Sequence, residues 1–331
     1  MLPRTLTVWT TGFAVFATFL ACDIGAQANP VYTSFDPASS TATFAAGIDA
    51  AGNSAGYYSD STAVHGFIRD PGGIITTFDP PGAINTYGQS VGSGKVAGRY
   101  LLVNTGGKGF LRKTNGNFAL FDPAGSVDTF PMSIANGAIT GYFTQGTGNF
   151  HGFLRDAAGA ITSFDVPGAI HTHAMAINNA GVIAGSYLDS GGVVNHGFLR
   201  DAAATITPFD PPGSTDTMAT AIMANGKIVG HYNNGNAIRG FIRRTNATFQ
   251  TFHVPGSQDT EPTAAANGWI AGTYVHAGVL HGFIRDPGGT ITPFDPPGST
   301  RTAPSGINAS GVIAGSYRDT GNVSHGYIRT P

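Results

Sequence analysis

Bulky residues come in pairs of short runs around a tight-turn signal, and the clearest copy is HGFIRDPGGTITPFDPPG at 281–298. His281 to Arg285 predicts one strand, Asp286-Pro-Gly-Gly289 a reversal, and Thr290 to Phe294 a returning strand rich in β-branched residues. Pro293 cannot donate to a ladder, which predicts an edge strand. Arginine and the following phenylalanine stand nine residues apart at Arg69/Phe78, Arg112/Phe121, Arg155/Phe164, Arg200/Phe209, Arg243/Phe252 and Arg285/Phe294. A constant spacing predicts a constant register, because a one-residue slip moves every side chain to the other face. Pairing Arg285 with Thr290 would set Phe283 against Thr292 and His281 against Phe294. Both faces then carry bulk, as expected of a sheet packed between two others.

The unit recurs. Its closing phenylalanine falls at 35, 78, 121, 164, 209, 252 and 294, in steps of 43, 43, 43, 45, 43 and 42. Each unit holds four short apolar segments. In the fourth they are ITSFD (161–165), THAMAIN (172–178), VIAGSY (182–187) and HGFLR (196–200). Four strands in about 43 residues is the arithmetic of a β-propeller blade. The expected fold is all-β: a seven-bladed propeller over residues 29–331, with almost no helix. The runner-up is an array of small sandwiches.

THAMAIN belongs innermost, where its small residues suit a crowded axis. Asn-Gly at 136–137, 225–226 and 267–268 predicts tight hairpins to the second strand. HGFIR is the third strand and TITPF the outer one. In this phase the chain begins with an orphan outer strand, Val31 to Asp36, and ends with an orphan third strand, His325 to Arg329. Their pairing would close the ring and remove two exposed edges. Loop length varies mainly between the Gly-x-Tyr strand and HGF, which marks one face for binding.

The pattern Ile-Asn-x-x-Gly-Val-Ile-Ala-Gly-x-Tyr followed by His-Gly-Phe resembles the probable extracellular repeats of the HAF family, named for a His-Ala-Phe core. The likeness is best at 172–200 and 302–328. Here glycine replaces the middle alanine, and Phe-Asp-Pro-Pro-Gly stands where that family often has a Gly-Leu-rich segment. The resemblance implies an exported repeat protein of undefined activity and brings no catalytic residues. The period also resembles that of WD-type propellers, without their Trp-Asp dipeptide.

Composition adds the setting. Glycine (48) and proline (20) make about a fifth of 331 residues, but they sit at fixed repeat positions and read as turn punctuation. A net charge of −2 with 11% charged residues excludes a general nucleic-acid binder. Residues 1–28 read as a signal peptide: Arg4, an apolar run from Val8 to Ala21, and Ala26-Gln27-Ala28 before a mature start at Asn29. The protein is therefore expected to be secreted, periplasmic or at the cell surface, without a membrane span and as a monomer. Cys22 is the only cysteine and the one candidate for lipid anchoring, although Phe19 and Leu20 depart from the usual lipoprotein pattern.

Catalytic chemistry is sparse. Of 19 acidic residues only Glu261 is a glutamate, and nearly all the aspartates recur at repeat positions. A residue repeated around a ring is structural, so no asymmetric acid/base pair is evident and no cofactor is implied. The repeat arginines were expected to bridge carboxylates or carbonyls between units, and the repeat histidines (65, 151, 196, 281, 325) to be hydrogen-bonded core positions. Departures from the repeat are the candidates. Arg239 and Arg244 end the fifth unit, His253 replaces its aspartate, and His231 lies near in sequence, which makes a locally basic patch for an anionic glycan or carboxylate. His171 and His173 alternate on an inner strand and point one way. The leading expectation is a non-catalytic binding module for carbohydrate or a cell-surface protein. The alternative is a carbohydrate-active lyase or hydrolase using the central funnel with His171, His173, Glu261 or the basic unit.

Overall fold

The computed structural model describes residues 29–146 and 148–331; the expected leader and Cys22 lie outside the described residues. Its 28 strands run from Val31–Phe35 to Ser324–Thr330, and no helix occurs among the described residues, so none is long and apolar enough to cross a membrane. The strands form antiparallel four-stranded sheets. One eight-stranded sheet is two such quartets touching through a single parallel bridge, Val64 to Asn85. In the fourth unit the order is His171–Ile177, Ile183–Leu188, Asn195–Arg200, Ile206–Phe209, as the apolar segments predict. The Asn-Gly turns at 136–137 and 267–268 have positive φ at both residues, the type I′ geometry that matches strand twist.

The outer hairpin departs from the expected register by one residue. Gly282 faces Phe294, Phe283 faces Pro293 and Arg285 faces Ile291, not Thr290. The cause is local. Asp286 N–H bonds Thr290 O at 2.9 Å and Gly289 adopts φ 102°, a three-residue loop whose left-handed glycine adds a residue to the turn. The shift puts Phe294 on the same face as Gly282, where a Cβ would lie 2.9 Å from the ring. The glycine of His-Gly-Phe is thus required by the aromatic ring above it.

Adjacent units are joined by that phenylalanine. Its ring packs edge-on against the next unit's third-strand aromatic at 5.7–6.4 Å, in the pairs 35/67, 78/110, 121/153, 164/198, 209/241, 252/283 and 294/327. The repeat arginine of the next unit lies over the same ring at 4.8–5.4 Å, as Arg69 over Phe35 and Arg329 over Phe294 do at the two ends of the series. This corrects the expected role of the arginines. Between units they meet a ring face, and their carbonyl contacts stay within their own turn, as in Arg69 Nη1 to Asp70 O at 3.1 Å. Such a cation–π contact contributes about 0.5–2 kcal/mol and satisfies no N–H, so Arg155 Nε and its equivalents are buried without a partner.

The repeat histidines are half-buried at the sheet margin instead of in the core. Each Nδ1 lies 2.6–2.9 Å from the aspartate that follows the outer-strand phenylalanine. In two units the other oxygen of that aspartate accepts from a fully buried threonine on the next unit's first strand, Thr43 to Asp36 and Thr302 to Asp295 at 2.5 Å; Asp122, held by Lys108 in place of a histidine, accepts from Thr129 in the same way. Val31–Phe35 pairs antiparallel with Ser324–Thr330, with Phe35 opposite Gly326. The last unit also touches the first: Ala45 N–H donates to Ser316 Oγ at 3.1 Å, and Ser305 Oγ donates to Ala45 O at 2.5 Å.

Candidate functional site

Every first strand carries a β-bulge. The register with the second strand skips one residue, at Ala46, Gln89, Met132, Met175, Thr220, Thr263 and Ser305. A bulge turns its extra residue out of the pleat. All seven of these residues line one central cavity of about 270 Å³. A wider pocket of about 500 Å³ shares them and adds Phe44, Tyr57, Arg301, Ser316, Tyr317, Arg318 and Ser324. Arg318 and Ser324 bound the loop between second and third strands, so the pocket lies on the face where loop length varies.

Just outside the bulge, one first-strand residue faces one second-strand residue in each unit. The pairs are Phe44/Tyr57, Tyr87/Arg99, Phe130/Tyr142, His173/Ser186, Met218/His231, Glu261/Thr273 and Ala303/Ser316. The repeat's symmetry ends here. Units one to three form a continuous aromatic arc. Phe44 stacks on Tyr57 at 5.1 Å, Tyr57 meets Tyr87 at 5.2 Å, Arg99 lies 4.6 Å over Phe130, Phe130 stacks on Tyr142 at 5.0 Å, and Tyr142 meets His173 at 4.7 Å. Apart from Met218, the remaining units carry small or polar groups.

The structure separates the candidate histidines by role. His171 Nδ1 accepts the Phe150 N–H at 3.2 Å, the task that Asn85, Asp128, Asp216 and Asp259 perform for their own preceding units. His173 sits within the arc, and burial with the neighbouring His171 lowers its pKa to about 4. The two rings are 6.0 Å apart. Among the described residues no group of three or more His, Cys, Asp or Glu is placed to hold a metal ion. His231 and Glu261 occupy the positions that Tyr57 and Phe44 hold in the first unit. Burial lowers the His231 pKa while the charges of Glu261 and Asp216 oppose it, and its Nδ1 is buried without a partner.

The basic residues of the fifth unit do not converge. Arg239 lies at the start of the strand Ile238–Arg243 and donates to Ile238 O and Gln258 O at 3.2 and 3.0 Å. Arg244 follows the other end of that strand and donates to Gln250 Oε1 at 3.0 Å, and His253 is exposed beyond the outer strand. The sequence reading missed Phe44, Tyr57, Arg301 and Arg318. The Phe44 column (87, 130, 173, 218, 261 and 303) keeps the repeat's own spacing while its residue changes from unit to unit, and that variation was the signal that could have found it.

Neither the family models nor the curated proteins give a match to the chain. Among solved structures, a streptogramin B lyase is 16% identical with a TM-score of 0.58, over 91% of this chain and 97% of its own. A catalytically inactive virginiamycin B lyase from Staphylococcus aureus with quinupristin is 14% identical with a TM-score of 0.61, over 92% and 100%. The β-propeller domain of the Trilobed protease from Pyrococcus furiosus is 8% identical with a TM-score of 0.63, over 88% and 94%. Likeness at these identities speaks to fold alone, and it makes this chain a β-propeller protein.

Proposed function

We propose that this protein is an exported, non-catalytic propeller of seven blades that binds a ligand in its axial pocket, at or outside the cell envelope. In this reading the ring is closed by the strand pairing of the two chain ends. Support for closure comes from the contact of Arg69 with Phe35, which repeats between last and first units what every other junction does, and from the Ser305 Oγ bond to Ala45 O, which repeats those of Thr220 to Pro262 O and Thr263 to Pro304 O. Export rests on the leader-like residues 1–28 and on the likeness of the repeats to the HAF family. The observation that carries the binding reading is the break in symmetry. Units that share turns, core and junctions diverge at the layer around the pocket, where an aromatic arc faces small and polar residues. Aromatic faces beside polar groups are the usual furniture of a ligand site, and the expected partner is a carbohydrate or a cell-surface protein.

The test is a thermal-shift and calorimetric screen against oligosaccharides, with Phe44→Ala/Tyr57→Ala as the pocket variant. A ligand of the folded state raises Tm by mass action. A hit lost in the variant upholds the reading, and unchanged binding in the variant moves the site elsewhere. Intact mass of protein recovered from the medium or envelope checks the expected start at Asn29. One observation favours a second reading, a carbohydrate-active enzyme: the unpartnered His231 Nδ1 beside the lone glutamate. Polysaccharide cleavage abolished by His231→Ala and by Glu261→Gln would establish it.

A further inference from the structure

We propose that the axial pocket recognises an acidic sugar, with the carboxylate of a uronate unit held by Arg301 and Arg318 and a sugar face laid on the Phe44/Tyr57 stack. This rests on the binding reading above and assigns its ligand class.

The repeat itself sets the argument. At the rim, five units place a hydrogen-bond acceptor that caps the third strand of the unit before: Asn85, Asp128, His171, Asp216 and Asp259, at 2.6–3.2 Å. In the seventh unit Arg301 stands near that place and has nothing to accept with. The preceding loop does not need a cap, because it closes as a two-residue turn at Ala277 and Gly278, with φ 50° and 76°. The fold therefore leaves Arg301 unexplained.

Arg318 pairs directly opposite Arg301, at a position held by Ser59, Leu101, Thr144, Leu188, Asn233 and Val275 in the other units. Two like charges facing across a ladder are destabilising, and among the described residues neither forms an ion pair. The adjacent carboxylate is engaged elsewhere. Asp319 Oδ1 accepts the Val323 N–H at 2.8 Å, and Oδ2 lies 3.4 Å from His325 Nε2. Arg318 Nε is buried without a partner.

Both arginines line the 500 Å³ pocket, and so do Phe44 and Tyr57 of the adjoining unit. A pair of guanidinium groups fits a carboxylate, which accepts forked hydrogen bonds and relieves the repulsion. The apolar stack suits the C–H face of a sugar ring. Gln89, Ser316 and Ser324 in the same lining suit its hydroxyls, which favours a saccharide over a peptide C-terminus.

The experiment is titration calorimetry of the purified protein with short galacturonate oligomers and with the same oligomers after carboxyl reduction. We expect binding of the acid form, weakened about tenfold or more by reduction and by Arg301→Ala or Arg301→Ala/Arg318→Ala, with no fall in Tm. Arg239→Ala/Arg244→Ala removes equal charge outside the pocket and should bind normally. Equal affinity for the reduced oligomer overturns the assignment. So does full binding by the double variant, or an equal loss in the control. Binding of neutral sugars lost on Phe44→Ala/Tyr57→Ala would overturn the acidic class and leave the binding reading standing. Silence of every saccharide would sink both. Capture of a peptide carboxylate by the same arginines would overturn the saccharide.

Discussion

Phe35 is the residue on which the proposed closure of the ring turns. It belongs to the first strand of the chain, yet its ring lies 5.7 Å from Phe67 and 5.2 Å from the Arg69 guanidinium, and covers Gly326, whose Cβ would fall 2.6 Å from it. Phe121 makes the same contacts inside the chain: Phe153 at 6.0 Å and Arg155 at 5.3 Å. Both rings are half-buried. Truncation of a buried phenylalanine to alanine costs about 3–5 kcal/mol, and partial exposure points to the lower end. Unfolding entropy near 2.1 cal/mol/K per residue, over roughly 300 residues, converts about 3 kcal/mol into a fall in Tm of about 5 °C if the ring melts as one unit. Scanning calorimetry of Phe35→Ala beside Phe121→Ala is the assay. Equal falls are expected. If Phe121→Ala melts lower while Phe35→Ala stays within about 1 °C of the parent, the terminal strand is peripheral and closure through it is wrong. If neither moves, the phenylalanine–arginine junctions do not hold the units together.

Four further outcomes follow from one or two positions each. Ala204 and Ala247 occupy the left-handed turn site, with φ 70° and 63°, that Gly73, Gly116, Gly159 and Gly289 fill in other units; Ala204→Gly/Ala247→Gly should therefore raise stability by about 0.5–1 kcal/mol per site, read as an increase in Tm. Gly197→Ala would set a Cβ 2.3 Å from Phe209 Cε2 and should destabilise by at least about 1–3 kcal/mol in a denaturant titration, with unchanged stability refuting the packing argument. His173, lowered to about 4 by burial and His171, contributes stability above the unfolded value near 6.5 and loses it as pH falls toward 4. His325 runs the other way. Burial lowers it, but hydrogen bonds and charges from Asp36 and Asp319 outweigh that and raise its pKa, so its contribution is full below about 6.5 and is lost as pH rises through the folded value. Thermal melts across pH should show His173→Phe flattening the acid limb and His325→Asn the rise on going below neutral.

Much of the architecture was legible because it is periodic and local. Strand order within a unit, the Asn-Gly hairpins and the pairing of Val31–Phe35 with the last strand all follow from a repeat of about 43 residues whose turns are written in glycine and proline. The outer register was not legible, since one left-handed glycine, Gly289, decides whether Arg285 meets Thr290 or Ile291. Nor was the arginines' role, because the ring each one covers belongs to the unit before, and guanidinium meets a π face where a carboxylate or carbonyl was the expected partner. The pocket depended on tertiary structure throughout. Bulges turn Met132 and Gln89 inward, and the meeting of last and first units sets Arg301 and Arg318 beside Phe44 and Tyr57. A sequence states which residues alternate along a strand. Which of them share a cavity is set by how the four-stranded units pack against one another, and no local pattern encodes that.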